Sequence, residues 1–411
     1  MTSVLSWFTE LRLNRAALIS LLVCWAALTF SSALVEIAFT TGLIFWLAAA
    51  LLARRFPLED LDLNARLLLL AYVMIVIFSY FWSEVPSLSF RGLFKVLQQV
   101  MTFVIAADLL SDSRHFNWFA RVSLGAFVLM VLNGFWQYAS GHDFLRHYAY
   151  QDSYAGARIT SSFKSYGLFA NYLICLTPVL FGLALTRFRH PIVKRVLVLA
   201  LVAAGLVLLF KTRSRGAMIA LAAAVFLVML LKRKFLILFI LSAVLGTGLL
   251  FVPKTMIIHL DINRKEQSLI ERFYLWDRAL QVIAAKPLTG TGVNTYSTVH
   301  NKYDTRQNWR VRGYYAHNGY LQAAAETGLP SLLCLLGFFY LLIRQSWYSP
   351  GRKREEPLYL GLLTGTLAFL IFMTVDTVFH NPVAVMTFWL LLGALHASVS
   401  SAHESPEGKA A

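Results

Sequence analysis

The stretch Ala316-His317-Asn318-Gly319-Tyr320-Leu321-Gln322, continuing to Glu326-Thr327-Gly328-Leu329-Pro330, opens directly onto the apolar run 329–344. It is a polar island with a titratable histidine at the mouth of a membrane helix. Ionisable groups at such a place are costly and mark function by default. The span that follows decides the fold class, and the island decides where chemistry is sought.

The same pattern recurs along the chain. Hydrophobic residues make up 58% of it and charged residues 14%, which excludes an ordinary soluble globular protein. Apolar runs of roughly 17–22 residues match a hydrocarbon core of about 30 Å. They fall at 15–32, 35–53, 66–82, 92–110, 117–138, 166–186, 193–210, 216–231, 234–252, 329–344, 358–377 and 383–399. The expectation is an all-α polytopic membrane protein of about twelve transmembrane helices. It divides into helices 1–9 over 1–252, an outer loop over 253–328, helices 10–12 over 329–399 and a cytoplasmic tail over 400–411. Cys24, Cys175 and Cys334 all lie inside spans, so no disulfide framework is indicated. The first span leads almost at once into the second and reads as an uncleaved anchor.

A formal charge of +16 invites a nucleic-acid reading. The basic residues instead flank the spans, as cytoplasmic loops require. Arg54-Arg55, Arg187-Phe188-Arg189 with Lys194-Arg195, Lys232-Arg233-Lys234 and Arg352-Lys353-Arg354 all fall on one side when the N-terminus is cytoplasmic. The other side then receives 83–89, 141–165, 211–216, the long loop and the small turn 376–381. Between Pro253 and Tyr315 the loop carries ten basic and five acidic residues, an excess of +5 that asks for an anionic partner such as a lipid head group. Its apolar residues Leu269, Phe273, Trp276, Leu280 and Ile283 recur at helical spacing, and Lys286-Pro287 ends that helix. Gly290-Thr291-Gly292 makes a corner, and a second helix starts near His317-Asn318 and runs into the next span. The loop reads as an amphipathic cap on the membrane face.

Several side chains suit chemistry on an anionic substrate. Arg213 and Arg215 bracket a helix junction on the outer side, where the topology rule does not call for them. Their planar forks match phosphate oxygens, although snorkelling to head groups is the ordinary use of such a residue. Arg158, with Lys164 near it, stands before another span. Arg272 lies four residues before Trp276 and either faces substrate or packs on the indole. His317 can serve as a base near neutral pH, with Asn318 to orient it. Glu326 is a second candidate base, or else a group that bonds backbone. No His-Glu-x-x-His pattern and no Walker-type loop occurs, so neither a metal nor a cofactor is expected. Asp60-Leu61-Asp62 reads as a solvated turn on the opposite side.

These elements together resemble the O-antigen ligase and polymerase superfamily. The resemblance rests on Arg158, on Thr212-Arg213-Ser214-Arg215-Gly216, on Arg272-Phe273-Tyr274-Leu275-Trp276 followed by Pro287-Leu288-Thr289-Gly290-Thr291-Gly292, and on His317-Asn318 with Glu326-Thr327-Gly328. It implies a metal-independent glycosyl transfer at the periplasmic face of a bacterial inner membrane. The donor would be a glycan on undecaprenyl diphosphate and the acceptor a sugar hydroxyl of the lipid A-core. His317 and Arg215 would be catalytic, Arg158, Arg213 and Arg272 would hold the diphosphate, and Asn318, Glu326 and Trp276 would support. Membrane lipids are the other expected partners, and nucleic acid is not one. O-antigen polymerase and protein O-oligosaccharyltransferase remain open alternatives. A transporter of lipid-linked glycans would instead show inverted repeats and broken helices at mid-bilayer.

The topology is directly testable. Single cysteines at 215 and 317 should react with an impermeant thiol reagent from the outer side, and those at 233 and 353 should not. Labelling of 233 but not 317 would reverse the orientation and remove the site from the outer face.

Overall fold

The computed structural model describes residues 2–54, 58–151, 157–186, 192–234, 262–304, 313–349 and 357–400. The ninth expected span, the basic runs 187–189 and 352–354 and the tail lie outside them. The described chain folds as α1 (Thr2–Ala27), α2 (Ser32–Ala53), α3 (Leu63–Ser79), α4 (Pro86–Leu109), α5 (Ser113–Ser140), α6 (Tyr166–Thr186), α7 (Ile192–Thr212) and α8 (Arg215–Leu231). Then follow α9 (Ile262–Ala285), the short α10 (Tyr296–Val299), α11 (Gly319–Tyr348), α12 (Pro357–Phe372) and α13 (Pro382–Ser400). Among the described residues there are isolated bridges but no strand. Seven helices are long and apolar enough to cross a membrane, namely α2, α4, α5, α6, α7, α11 and α13. Helices α3, α8 and α12 are shorter apolar rods. The chain is an all-α polytopic membrane protein.

Local chemistry explains the boundaries. Asp62 caps α3 by accepting from Asn64 N at 2.9 Å and Ala65 N at 3.2 Å. Gln345 Nε2 donates to Asp60 O at 2.7 Å, and Lys232 sits 5.5 Å from the Trp347 ring centroid. The 58–62 turn and the ends of α8 and α11 therefore share one end of the bundle, and Asp60 and Asp62 are turn residues there. α12 ends at Phe372, short of the expected 377, which frees Met373–Asp376 from the helix.

The element that organises the opposite end is the break in α11. Gly328 has φ 84 and ψ 163, a region open essentially to glycine alone. Pro330 has no N–H, so the helical ladder fails for a turn. The carbonyls left over do not go unpaired: Thr291 N donates to Ala325 O at 3.0 Å and Gly292 N to Glu326 O at 2.8 Å. Leu329 N in turn donates to Pro287 O at 2.8 Å. Backbone groups at membrane depth must be satisfied by protein, and the 287–292 corner does this for the broken helix. A Cβ on Gly328 would overlap the Leu288 carbonyl, and one on Gly292 would overlap Ser83 Oγ.

α9 is helical as its spacing predicts, and the apolar residues of that spacing divide between an inward and an outward face. Leu275, Ala279, Val282 and Ile283 pack inward, and the last three join Tyr296, Ala316, Ala324 and Ala325 in a small separate core. Phe273 is 61% and Leu280 54% exposed. The helix is apolar on two faces, and burial of small residues against the α11 break decides which one turns in. The exposed face, with Ile270, is the one free to meet lipid.

The loop's charge excess is partly answered within the chain. Glu84, between α3 and α4, pairs with Lys286 at 3.0 Å and Lys302 at 2.9 Å and accepts from Tyr303 Oη at 2.6 Å. Burial alone would raise its pKa, but these donors outweigh it and hold the carboxyl at about 2. Arg278, fully buried, pairs with Asp304 at 3.1 Å and donates to Tyr303 O at 2.8 Å.

The break makes a sharp prediction. Gly328→Ala should destabilise the protein by about 2 kcal/mol or more, read as a lower Tm in detergent, and raise hydrogen exchange across 287–296. An unchanged Tm and exchange pattern would show that the break does not hold the cap.

Candidate active site

Around residues 373–376 three helix N-termini meet. A side chain at Gly167, in the first turn of α6, would begin 3.6 Å from Asp376 Oδ2. One at Gly216, in the first turn of α8, would begin 3.0 Å from Val375 Cγ2. Gly319 N, at the start of α11, donates to Met373 O at 2.8 Å. Helix N-termini carry partial positive charge and free N–H groups, so their convergence favours an anion.

The three are not equivalent. Asn318 caps α11 by accepting from Tyr320 N and Leu321 N, each at 3.1 Å. Ser165 Oγ accepts from Gly167 N at 3.1 Å. Ser214 makes no side-chain cap bond at α8, so that N-terminus keeps its donors. Arg213 takes φ 54 to end α7, and Arg215 opens α8 two residues later. Both are exposed, and neither forms an ion pair with a described residue. Ile159 N donates to Lys211 O at 3.4 Å, which brings the Arg158 segment to the same junction. Arg158 lies 4.4 Å from the Tyr166 ring centroid at the mouth of α6, and its Nε is buried without a partner.

His317 stands beside this cluster. Its backbone is left-handed, φ 47, in a region that non-glycine residues occupy under constraint. Trp276 Nε1 donates to its carbonyl at 3.4 Å. Nδ1 faces Asp376 Oδ1 at 3.8 Å, too long for a hydrogen bond but within ion-pair range, and has no other partner. The ring is partly open to solvent, at 35% exposure.

The remaining expected residues divide. Trp276 supports the His317 backbone and packs edge-on to Phe273 at 5.4 Å. Arg272, one turn before it on α9, is part-buried and forms no ring contact or ion pair with a described residue, so it is not a cation parked on the indole. Glu326 is buried and fully engaged. It accepts from Asn294 N at 2.7 Å, Tyr296 N at 3.3 Å and Gln322 Nε2 at 3.1 Å. Its carboxylate ties the corner after Gly292 to α11.

Sequence reasoning passed over Asp376 and the network behind it. Gln322 Nε2 donates to His380 Nδ1 at 3.0 Å, and His380 Nε2–H donates to Asn294 Oδ1 at 2.8 Å. This parity places the His380 proton on Nε2. Burial lowers its pKa, Glu326 opposes that and Lys95 reinforces it. Gln322 Oε1 meanwhile accepts from Ala316 N at 3.4 Å, next to His317. A carboxylate and a histidine in a short turn between apolar spans were the available signal. The expected helix end at 377 hid Asp376.

Among the described residues no group of three or more His, Cys, Asp or Glu side chains could hold a metal ion. No curated protein matches the chain. Residues 172–336 match the family model described as O-antigen ligase. That stretch contains Arg213, Arg215, Arg272, Trp276, His317, Asn318 and Glu326, and Arg158 precedes it. The segment that builds the break, its cap and the His317 site therefore lies within the stretch that is similar to the O-antigen ligase family.

Proposed function

We propose that the protein is an inverting glycosyltransferase that moves O-antigen glycan from undecaprenyl diphosphate to a sugar hydroxyl of the lipid A-core at the periplasmic face. The observation that carries this reading is the Arg213–Arg215 junction, without an ion-pair partner among the described residues, at an uncapped helix N-terminus and set against a histidine that faces a carboxylate.

The chemistry follows from that arrangement. The donor diphosphate lies at the α8 N-terminus, between the Arg213 and Arg215 forks, with Arg158 and Arg272 at its edges. His317 Nε2 takes the proton of the acceptor hydroxyl as its oxygen attacks the anomeric carbon. The carbon–phosphate oxygen bond breaks, and undecaprenyl diphosphate leaves with the electron pair. Guanidinium groups stabilise the charge that develops there. The imidazolium formed on His317 is stabilised by Asp376 through Nδ1–H, a contact that shortens in the loaded state. A single displacement inverts the anomeric centre. The O-antigen polymerase reading uses the same site and differs only in the acceptor offered to it.

Reconstitution with lipid-diphosphate glycan and purified core lipid tests the proposal. His317→Ala should spare donor binding and lose ~10²–10⁴ in rate. Arg215→Ala should weaken donor binding and transfer together, with Arg215→Lys restoring only part because an ammonium lacks the fork. Near-normal transfer by a stably folded His317→Ala protein would remove the base from this mechanism, and sugar gained only by a second lipid-linked glycan would make the enzyme a polymerase.

A further inference from the structure

Beyond the 377–380 turn lies a cleft that the arginines do not reach. It has a volume of about 50 Å³ and is lined by α3, α4, the corner after Gly292 and the first turns of α11. Room for a few water-sized groups is enough to seat the hydroxyls and one substituent of a sugar edge. Lys95, Gln99 and Tyr72 face into it. Gln99 is 7% and Tyr72 4% exposed, and neither side chain makes a hydrogen bond with a described residue. Lys95 forms no ion pair with a described residue. It lies nine residues into α4, about 14 Å along the helix axis. An ammonium, an amide and a phenol converge inside a membrane bundle with their donors unused. Such groups are too costly to keep without a partner.

Across the cleft the polar groups are already committed. Glu326, Gln322, His380 and Asn294 satisfy one another and the backbone. They form a rigid wall and leave the α3–α4 side to bind. The position relative to the site is specific. Thr377 and Gly319 line the cleft, one residue from Asp376 and two from His317. Residues 373–376 contact α6 and α8 on the arginine side, and 377–380 face α4. The His317–Asp376 pair thus lies between this cleft and the arginine junction. In an inverting displacement the nucleophile approaches opposite the leaving group, so the cleft across from the arginines receives the acceptor.

We propose that the cleft of Tyr72, Lys95 and Gln99 is the acceptor subsite, and that it takes a sugar of the acceptor glycan bearing an anionic substituent. The assignment rests on the glycosyl-transfer reading above. Gln99 and Tyr72 bond hydroxyls, and the Lys95 ammonium pairs with a phosphate or carboxylate on the sugar. The attacking hydroxyl then lies toward His317.

Direct binding of purified lipid A-core lacking O-antigen, measured on the detergent-solubilised full chain, separates this from the reading it rests on. Lys95→Met and Gln99→Leu should weaken core-lipid binding about tenfold or more and leave the affinity for the lipid-diphosphate glycan unchanged. Lys95→Arg should keep most of it, and Arg215→Ala should show the reverse pattern. Core lipid stripped of phosphate supplies the second arm. A loss on stripping in the wild type that is absent in Lys95→Met assigns the ammonium to phosphate. An equal defect of Lys95→Met with both lipids assigns it to a sugar carboxylate. Unchanged core-lipid affinity in variants of native Tm, or a loss confined to the donor, overturns the subsite. A wild type that binds core lipid but transfers nothing overturns the glycosyl-transfer reading and leaves the cleft standing.

Discussion

The structure depends on a helix that is broken and repaired by another part of the chain. Gly328 and Pro330 interrupt α11, and the carbonyls of Ala325 and Glu326 would otherwise face the bundle unpaired. A buried backbone group left without its bond costs about 1–3 kcal/mol. The N–H groups of Thr291 and Gly292 take both carbonyls, and the Glu326 side chain takes the N–H groups of Asn294 and Tyr296 in return. The exchange runs in both directions between two segments some thirty residues apart. It needs a corner without side chains at 290 and 292, because the corner's backbone must lie against the helix and against Ser83 and Ser89. The Pro-x-x-Gly-x-Gly and Glu-x-Gly elements are thus the two halves of one joint.

That joint places the candidate site. By ending the transmembrane part of α11 at Gly328, it lets residues 319–327 rise as a separate short helix whose N-terminus carries His317. α9 is docked on the same joint through Ala279, Val282 and Ile283, which sets Trp276 against the His317 carbonyl. Glu84 fastens the far end of the cap through Lys286 and Lys302. Two of the loop's cations are therefore structural. Those left without an ion-pair partner at the junction, Arg213 and Arg215, come from outside the loop, on helices fixed by the bundle. A cation held on a rigid helix end needs little reorganisation to meet developing charge.

The fold class, most span positions and the α9 helix were legible in the sequence because each rests on a local period or a run length. The candidate residues His317, Arg213 and Arg215 stood out by type, since they are polar groups at span ends, and their roles rest on the proposal above. What could not be read were partners far apart in the chain. Asp376 stood where the expected span 358–377 meets the small turn 376–381 and drew no role, because hydropathy does not see that α12 unwinds after Phe372. Which residues of α9 meet the protein could not be read, because Phe273 and Leu280 outweigh alanines on any hydropathy scale. Small residues win where two backbones must approach closely. Glu326 could be read as a base or as a backbone ligand, and only the position of Asn294 and Tyr296 separates the two.

The polar stripe on α4 follows from the same logic. Taken alone, Lys95, Gln98 and Gln99 are awkward residues in a span. Gln98 is explained within the bundle, since its Nε2 donates to Glu36 at 3.0 Å. Gln99 and Lys95, one and three residues away, turn instead toward the cleft beside Glu326 and His380. A neutral His380 suits such a cleft. Its Nδ1 must accept from Gln322 for the amide to serve Glu326 as well, and a proton there would leave Gln322 facing a donor. Burial disfavours that proton, and Lys95 offsets part of the opposing pull of Glu326. Burial and the fixed Gln322 amide thus hold the wall behind the cleft in one hydrogen-bond arrangement, while the α3–α4 side keeps its own polar groups for a ligand.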